Sequence, residues 1–98
     1  MLSIQSQSFY FETHGTAQHT FEFSNTVESY GAALQGFDLN FGTDKDREIE
    51  SLGAEITNVS LSGDKTAVTV EVKLTLNDHN DHVGQGQIDV VVFADLKS

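Results

Sequence analysis

Between Thr66 and Leu76 the chain reads T-A-V-T-V-E-V-K-L-T-L, with Val68, Val70, Val72, Leu74 and Leu76 alternating with Thr69, Glu71, Lys73 and Thr75. A strand repeats every two residues, so this run predicts one buried aliphatic face and one wet face. A second run, Gln87 to Leu96, sets Ile88, Val90, Val92 and Ala94 against Asp89, Val91, Phe93 and Asp95. A polar loop separates the two runs, and the expectation is that they pair as a β-hairpin at the heart of the core.

The same periodicity recurs upstream. In S-F-Y-F-E, Phe9 and Phe11 share a face and Tyr10 takes the other, and in Q-H-T-F-E-F, Phe21 and Phe23 are aligned. These two segments predict a hairpin closed around Gly15. Thr26 to Leu34 fits helical and extended spacing alike, but Val27 and Tyr30 favour a strand and Gly31 inside a helix would cost about 1 kcal/mol, so extended structure is expected. Gly36 to Phe41 alternates again, with Phe37, Leu39 and Phe41 inward.

From Glu48 to Leu61 the inward set begins as Leu52, Ala54 and Ile56 and resumes as Val59 and Leu61. That change of parity near Thr57 and Asn58 is how a β-bulge shows itself in sequence. The turn S-G-D-K then leads into the Thr66–Leu76 strand. Six or seven short strands, with Gly, Asn and Asp between them and no clear helix, define an all-β protein, an antiparallel β-sandwich in a single domain over residues 1–98.

Composition narrows the function classes. Fifteen acidic residues against five basic ones give a formal charge of −10, and Lys45, Arg47, Lys65, Lys73 and Lys97 are scattered along the chain. That balance repels phosphate backbones, so nucleic acid and anionic membranes are not expected partners. There is no run of about 18 apolar residues to span a bilayer, and M-L-S-I-Q-S-Q-S has neither the basic start nor the apolar stretch of a signal peptide. Cytoplasmic residence, or release by another route, is the expectation. The absence of Cys removes disulfides and thiolate metal sites.

The last strand carries an inconsistency. If only Ile88, Val90, Val92 and Ala94 are buried, Val91 and Phe93 are left on an outer face. Such a strand is either covered on both sides or part of a subunit interface, and the balance favours the interface and a homo-oligomer, dimer or trimer.

Candidate chemistry concentrates in N-D-H-N-D-H-V-G-Q-G, residues 77–86, where Asp78, His79, Asn80, Asp81 and His82 adjoin. Carboxylate and amide oxygens suit Ca²⁺, with Asp78 and Asp81 as the natural ligands, whereas the imidazoles suit transition metals. The spacing is not that of the twelve-residue calcium loop. Asp44, Asp46 and Glu48 would line one side of an extended strand and could bind a cation, but Lys45 and Arg47 are there to neutralise them, and His14 with His19 would lie close together across the predicted first hairpin. A solvated turn is the plainer reading of all three clusters. No nucleophile elbow, phosphate loop, zinc-protease helix or dinucleotide fingerprint occurs, so an enzyme is not expected.

The stretch R-E-I-E-S-L-G-A-E-I-T-N-V-S-L-S-G, the alternating strand after it, the polar loop and the closing I-D-V-V-V-F-A-D-L together resemble the H-type lectin domain over about half of the chain. That family is a small antiparallel β-sandwich that assembles as trimers and binds sugars such as N-acetylgalactosamine. Phe93 and Ala94 stand where it carries an aromatic, usually Trp, followed by Ala. The resemblance implies an oligomeric module that binds carbohydrate. Tyr10, Tyr30 and the polar side chains of the 77–86 loop are where ligand contact is expected, because sugar recognition combines an aromatic face with fixed amide, carboxylate and imidazole partners. The alternatives are a structural or accessory assembly protein of the virion, tail or integron-encoded type, with no small-molecule site, and a divalent-cation-binding domain.

Overall fold

A computed structural model describes residues 1–12, 15–40, 49–78 and 85–97. Six strands are present among them: β1 (Leu2–Phe11), β2 (Gly15–Glu22), β3 (Val27–Asn40), β4 (Ile49–Leu61), β5 (Ala67–Asp78) and β6 (Gln85–Leu96). They form two three-stranded antiparallel sheets, a front sheet ordered β1-β6-β3 and a back sheet ordered β2-β5-β4. The two sheets pack against each other as a small β-sandwich.

The two strongest alternating runs are therefore not hairpin partners, contrary to the sequence expectation. β5 is the central strand of the back sheet and β6 the central strand of the front sheet. Their inward sets meet across the sandwich instead of side by side. Val68, Val70, Val72 and Leu74 of β5, and Ile88, Val90 and Val92 of β6, have no exposed surface, and Ala94 and Leu96 almost none. Each such aliphatic side chain contributes about 1.5–3 kcal/mol by leaving water. Stacking satisfies both faces at once, whereas lateral pairing would leave the shared inner face needing a cover from elsewhere.

The first predicted hairpin fails for the same reason. β1 lies at the edge of the front sheet and β2 at the edge of the back sheet, so the chain crosses between layers around Gly15 instead of turning back on itself. Gly15 opens β2 at φ 156°, a backbone region essentially confined to glycine. The aromatic pattern still holds, because Phe9, Phe21 and Phe23 are buried in the common core and Phe11 packs against it. β1 also starts earlier than its aromatic run, at Leu2.

The uncertain segment is extended. Residues 26–34 and 36–41 were expected as separate pieces, but 27–40 form one fourteen-residue strand along β6. Register shifts between Val27 and Ser29 and between Leu34 and Gly36 let it follow the twist of its neighbour. Phe41 lies outside the described residues. In β4 the parity change is the predicted bulge: pairing with β5 slips between Ile56 and Asn58, and Ala54, Ile56, Val59 and Leu61 all pack on the core.

β4 and β5 are joined as expected by a tight turn at Ser62–Thr66. The Lys65 amide donates to the Ser62 carbonyl at 3.0 Å, and the Ser62 amide to the Ala67 carbonyl at 2.9 Å. Asp64 Oδ1 accepts from the Ser62 hydroxyl at 2.6 Å and from the Thr66 hydroxyl at 2.8 Å. The turn also braces the β2–β3 crossing, since the amides of Phe23 and Val27 donate to the carbonyls of Thr66 and Lys65. Lys65 sits at φ 62°, left-handed backbone that β-branched residues resist.

Two substitutions test this architecture. Leu74→Ala should destabilise the fold by about 2–5 kcal/mol in urea unfolding, because it opens a cavity between the central strands. Lys65→Val should cost about 1–2 kcal/mol through backbone strain alone, with Lys65→Asn close to neutral; equal stability of the Val and Asn variants would contradict the turn geometry.

Candidate functional site

The outer faces of the two sheets differ in kind. On the back sheet the outward positions read Thr16, Gln18 and Thr20 on β2, Thr69, Glu71 and Lys73 on β5, and Glu55, Asn58 and Ser60 on β4. Thr20 and Thr69 share a hydroxyl hydrogen bond at 2.8 Å, and the Thr57 hydroxyl donates to Glu71 Oε1 at 2.8 Å. This is an ordinary solvated β-surface, polar from end to end.

The front sheet divides into two halves. Toward the start of β6 the outward residues are Tyr10, Ser8, Gln87, Asp89 and Gly36. The Ser8 hydroxyl donates to Asp89 Oδ1 at 2.6 Å and Gln87 Nε2 donates to the same oxygen at 2.8 Å. Both bonds favour the ionised carboxylate, Ser8 most, and hold Asp89 below the usual carboxylate value.

Toward the end of β6 the same face turns apolar. Register places Ile4 of β1, Phe93 of β6 and Gly31 of β3 in one row, with Ser6, Val91 and Ala33 in the row beside it. Leu2 stands at the end of β1, opposite Asp95. Leu2 is 64% exposed, Ile4 57% and Phe93 39%. Gly31 leaves a gap in the row, because a Cβ built there would meet nothing within 4 Å. Around it lies a shallow depression of about 140 Å³ lined by Leu2, Ser29, Tyr30, Gly31, Phe93, Ala94 and Asp95. At its rim the Met1 ammonium donates to Asp95 Oδ1 at 3.1 Å and to the Leu96 carbonyl at 2.9 Å.

Val91 and Phe93 thus belong to a central strand whose outer face is only partly shielded by its neighbours. Tyr10 is 76% exposed beside Gln87, and Tyr30 is 42% exposed on β3 beside Ala94. Gln87 and Ala94 are seven residues apart on β6, about 23 Å of strand, so the two tyrosines do not form one site. Asp78 closes β5, in register with Ile49. His79, Asn80, Asp81 and His82 lie outside the described residues, as do Asp44, Asp46, Glu48 and His14. His19 is half-buried on β2, its ring edge-on to Phe21 at 4.8 Å. Among the described residues no group of three or more His, Asp or Glu is placed to hold a metal ion.

Sequence reasoning missed Leu2, Ile4, Gly31 and Ala33. A signal for the first two exists: in L-S-I-Q-S-Q-S-F-Y-F the apolar residues at 2 and 4 have the opposite parity to Phe9 and Phe11. One strand with apolar residues on both parities has an apolar outer face. Comparison with protein-family models, curated proteins and solved structures found no match.

The Asp89 cluster has a pH signature. A carboxyl depressed below its ordinary value of 3.8 adds stability that is fully present above that value and is lost as pH falls through the lower folded value. Ser8→Ala should move the Asp89 titration, followed by carboxyl NMR, back up toward 3.8. An unchanged titration would show that the Ser8 bond is not the main cause of the depression.

Proposed function

We propose that this protein is an oligomeric β-sandwich module that works by binding and assembly and not by catalysis. The observation that carries the reading is the asymmetry of its two faces. The back sheet presents hydroxyls, amides and charges throughout, whereas half of the front sheet presents Leu2, Ile4, Val91 and Phe93 to the outside. A contiguous apolar patch rimmed by polar groups is the mark of a protein–protein surface. Val91 and Phe93 are its centre.

A second reading adds carbohydrate. The depression beside Gly31 sets the Phe93 ring beside Ser29 and Asp95 on the same outer face, with Tyr30 lining it from β3. An apolar ring face with fixed polar partners is the chemistry that recognises a sugar. The likeness of the closing strands to the H-type lectin domain points the same way, and oligomerisation would multiply weak sites into useful avidity. Assembly through the patch and sugar binding in the depression compete for the same surface, and assembly is favoured because the apolar area extends well beyond the depression.

Light scattering after gel filtration should give a multiple of the 10.7 kDa chain mass. Phe93→Glu should return it to the monomer while leaving the strand circular dichroism intact. A wild type that stays monomeric at millimolar concentration would refute the assembly reading. A glycan array that binds a monomeric wild type and loses binding in Phe93→Ala would instead favour the lectin-like one.

A further inference from the structure

We propose that the occupant of the apolar half of the front sheet is a second copy of this chain, docked face to face about a two-fold axis that runs along the strands between β3 and β6. This inference rests on the self-association reading and specifies its partner and geometry. Phe93 and Gly31 are direct neighbours in register, a bulky side chain beside a missing one on the same face. Rotation by 180° about an axis parallel to the strands and midway between them exchanges the two positions. Each Phe93 ring then stands over the Gly31 of the other copy.

An isologous contact requires such self-complementarity, since one patch must be both donor and receiver. The depression at Gly31 is large enough: its 140 Å³ compares with the cavity of about 150 Å³ that holds a benzene molecule. The row alongside repeats the relation on a smaller scale, pairing Val91 with Ala33.

Shape, and not charge, selects a copy. At a formal charge of −10, two molecules of this chain repel over most of their surface. The apolar half is where that repulsion is least, because Asp95 stands only at its rim and Asp89 lies in the polar half. A basic partner, drawn by the acidic surface, would find nothing to pair with at Leu2, Ile4, Val91 and Phe93.

The area also fits. The molecule measures 53 × 19 × 16 Å, so one sheet face offers on the order of 1,000 Å² and its apolar half about 500 Å² per partner, the size of a small, weak interface. The apolar half makes the contact, and the Ser8–Gln87–Asp89 half lies outside it.

Gly31→Val tests the geometry without threatening the fold, because the added side chain meets open space in the single chain and Val favours strands. It should fill the depression and raise the dimer dissociation constant at least tenfold, measured by sedimentation equilibrium, with the melting temperature of the dissociated chain unchanged or higher. The chain has no Cys, so a mixture of Val91→Cys and Ala33→Cys proteins treated with a short bis-maleimide should cross-link between the two variants. Lys73→Cys, on the back sheet, should not cross-link to either. Wild-type association in Gly31→Val, equal cross-linking by Lys73→Cys, or a closed trimer mass would each overturn the two-fold face while leaving assembly itself standing. A wild-type monomer would overturn both.

Discussion

The contact between β5 and β6 across the sandwich is the constraint on which the other elements depend. Each central strand holds two edge strands by hydrogen bonds, and the two sheets are held to each other by the inward aliphatic rows of Val68 to Leu74 and Ile88 to Leu96. The edge strands add a partial layer, with Ala17, Ala32, Ala54, Ile56, Val59 and Leu61 packed around that seam. Most of these side chains are small or β-branched, which keeps the sheets close and the core narrow. A narrow core in a strongly acidic chain leaves limited stability, since like charges oppose compaction. Association through an outer face is a physically economical remedy for a domain of this size.

That remedy is available on one side of the molecule. Both sheets are three strands wide and built on the same alternation, yet their outward positions are filled by opposite rules. β5 alternates Val and Leu with Thr, Glu and Lys, whereas β6 alternates its inward set with Val and Phe at 91 and 93. The neighbours then reinforce each choice: Thr20 and Ser60 flank Thr69, while Ile4 and Gly31 flank Phe93. The asymmetry is thus written in three strands at once and is a property of the whole face.

Local pattern was legible, and partnership was not. Inward residues, the Ser62–Thr66 turn, the bulge at Thr57 and the extended state of residues 27–34 all follow from side-chain parity and turn chemistry, which are local. Which strand lies beside which is not local: an aliphatic row looks the same whether its partner is hydrogen-bonded beside it or stacked across from it. That ambiguity is why β5 with β6, and β1 with β2, read as hairpins. The interface candidates Val91 and Phe93 were legible because they violate alternation, whereas Gly31 carries meaning only once register sets it beside Phe93. Tyr10 and Tyr30 looked equivalent in sequence, but register sets Tyr10 beside outward Gln87 and Tyr30 beside inward Ala94, toward opposite ends of β6.

The same topology sets an order of events as the chain is made. Among the described strands, β4 and β5 alone pair with a sequence neighbour; the front sheet has no centre until β6 arrives, and its pairing of Leu2 with Asp95 spans nearly the whole chain. At a synthesis rate of about 5–20 residues per second, β3 waits roughly 3–11 s and β1 roughly 4–17 s for the strand that will join them. By the time β5 is complete, twelve of the fifteen acidic residues have been made, while Phe9 and Val27 still lack the β6 half of their core. Negative charge, costly to the finished fold, then opposes contact between the waiting strands and those of another nascent chain.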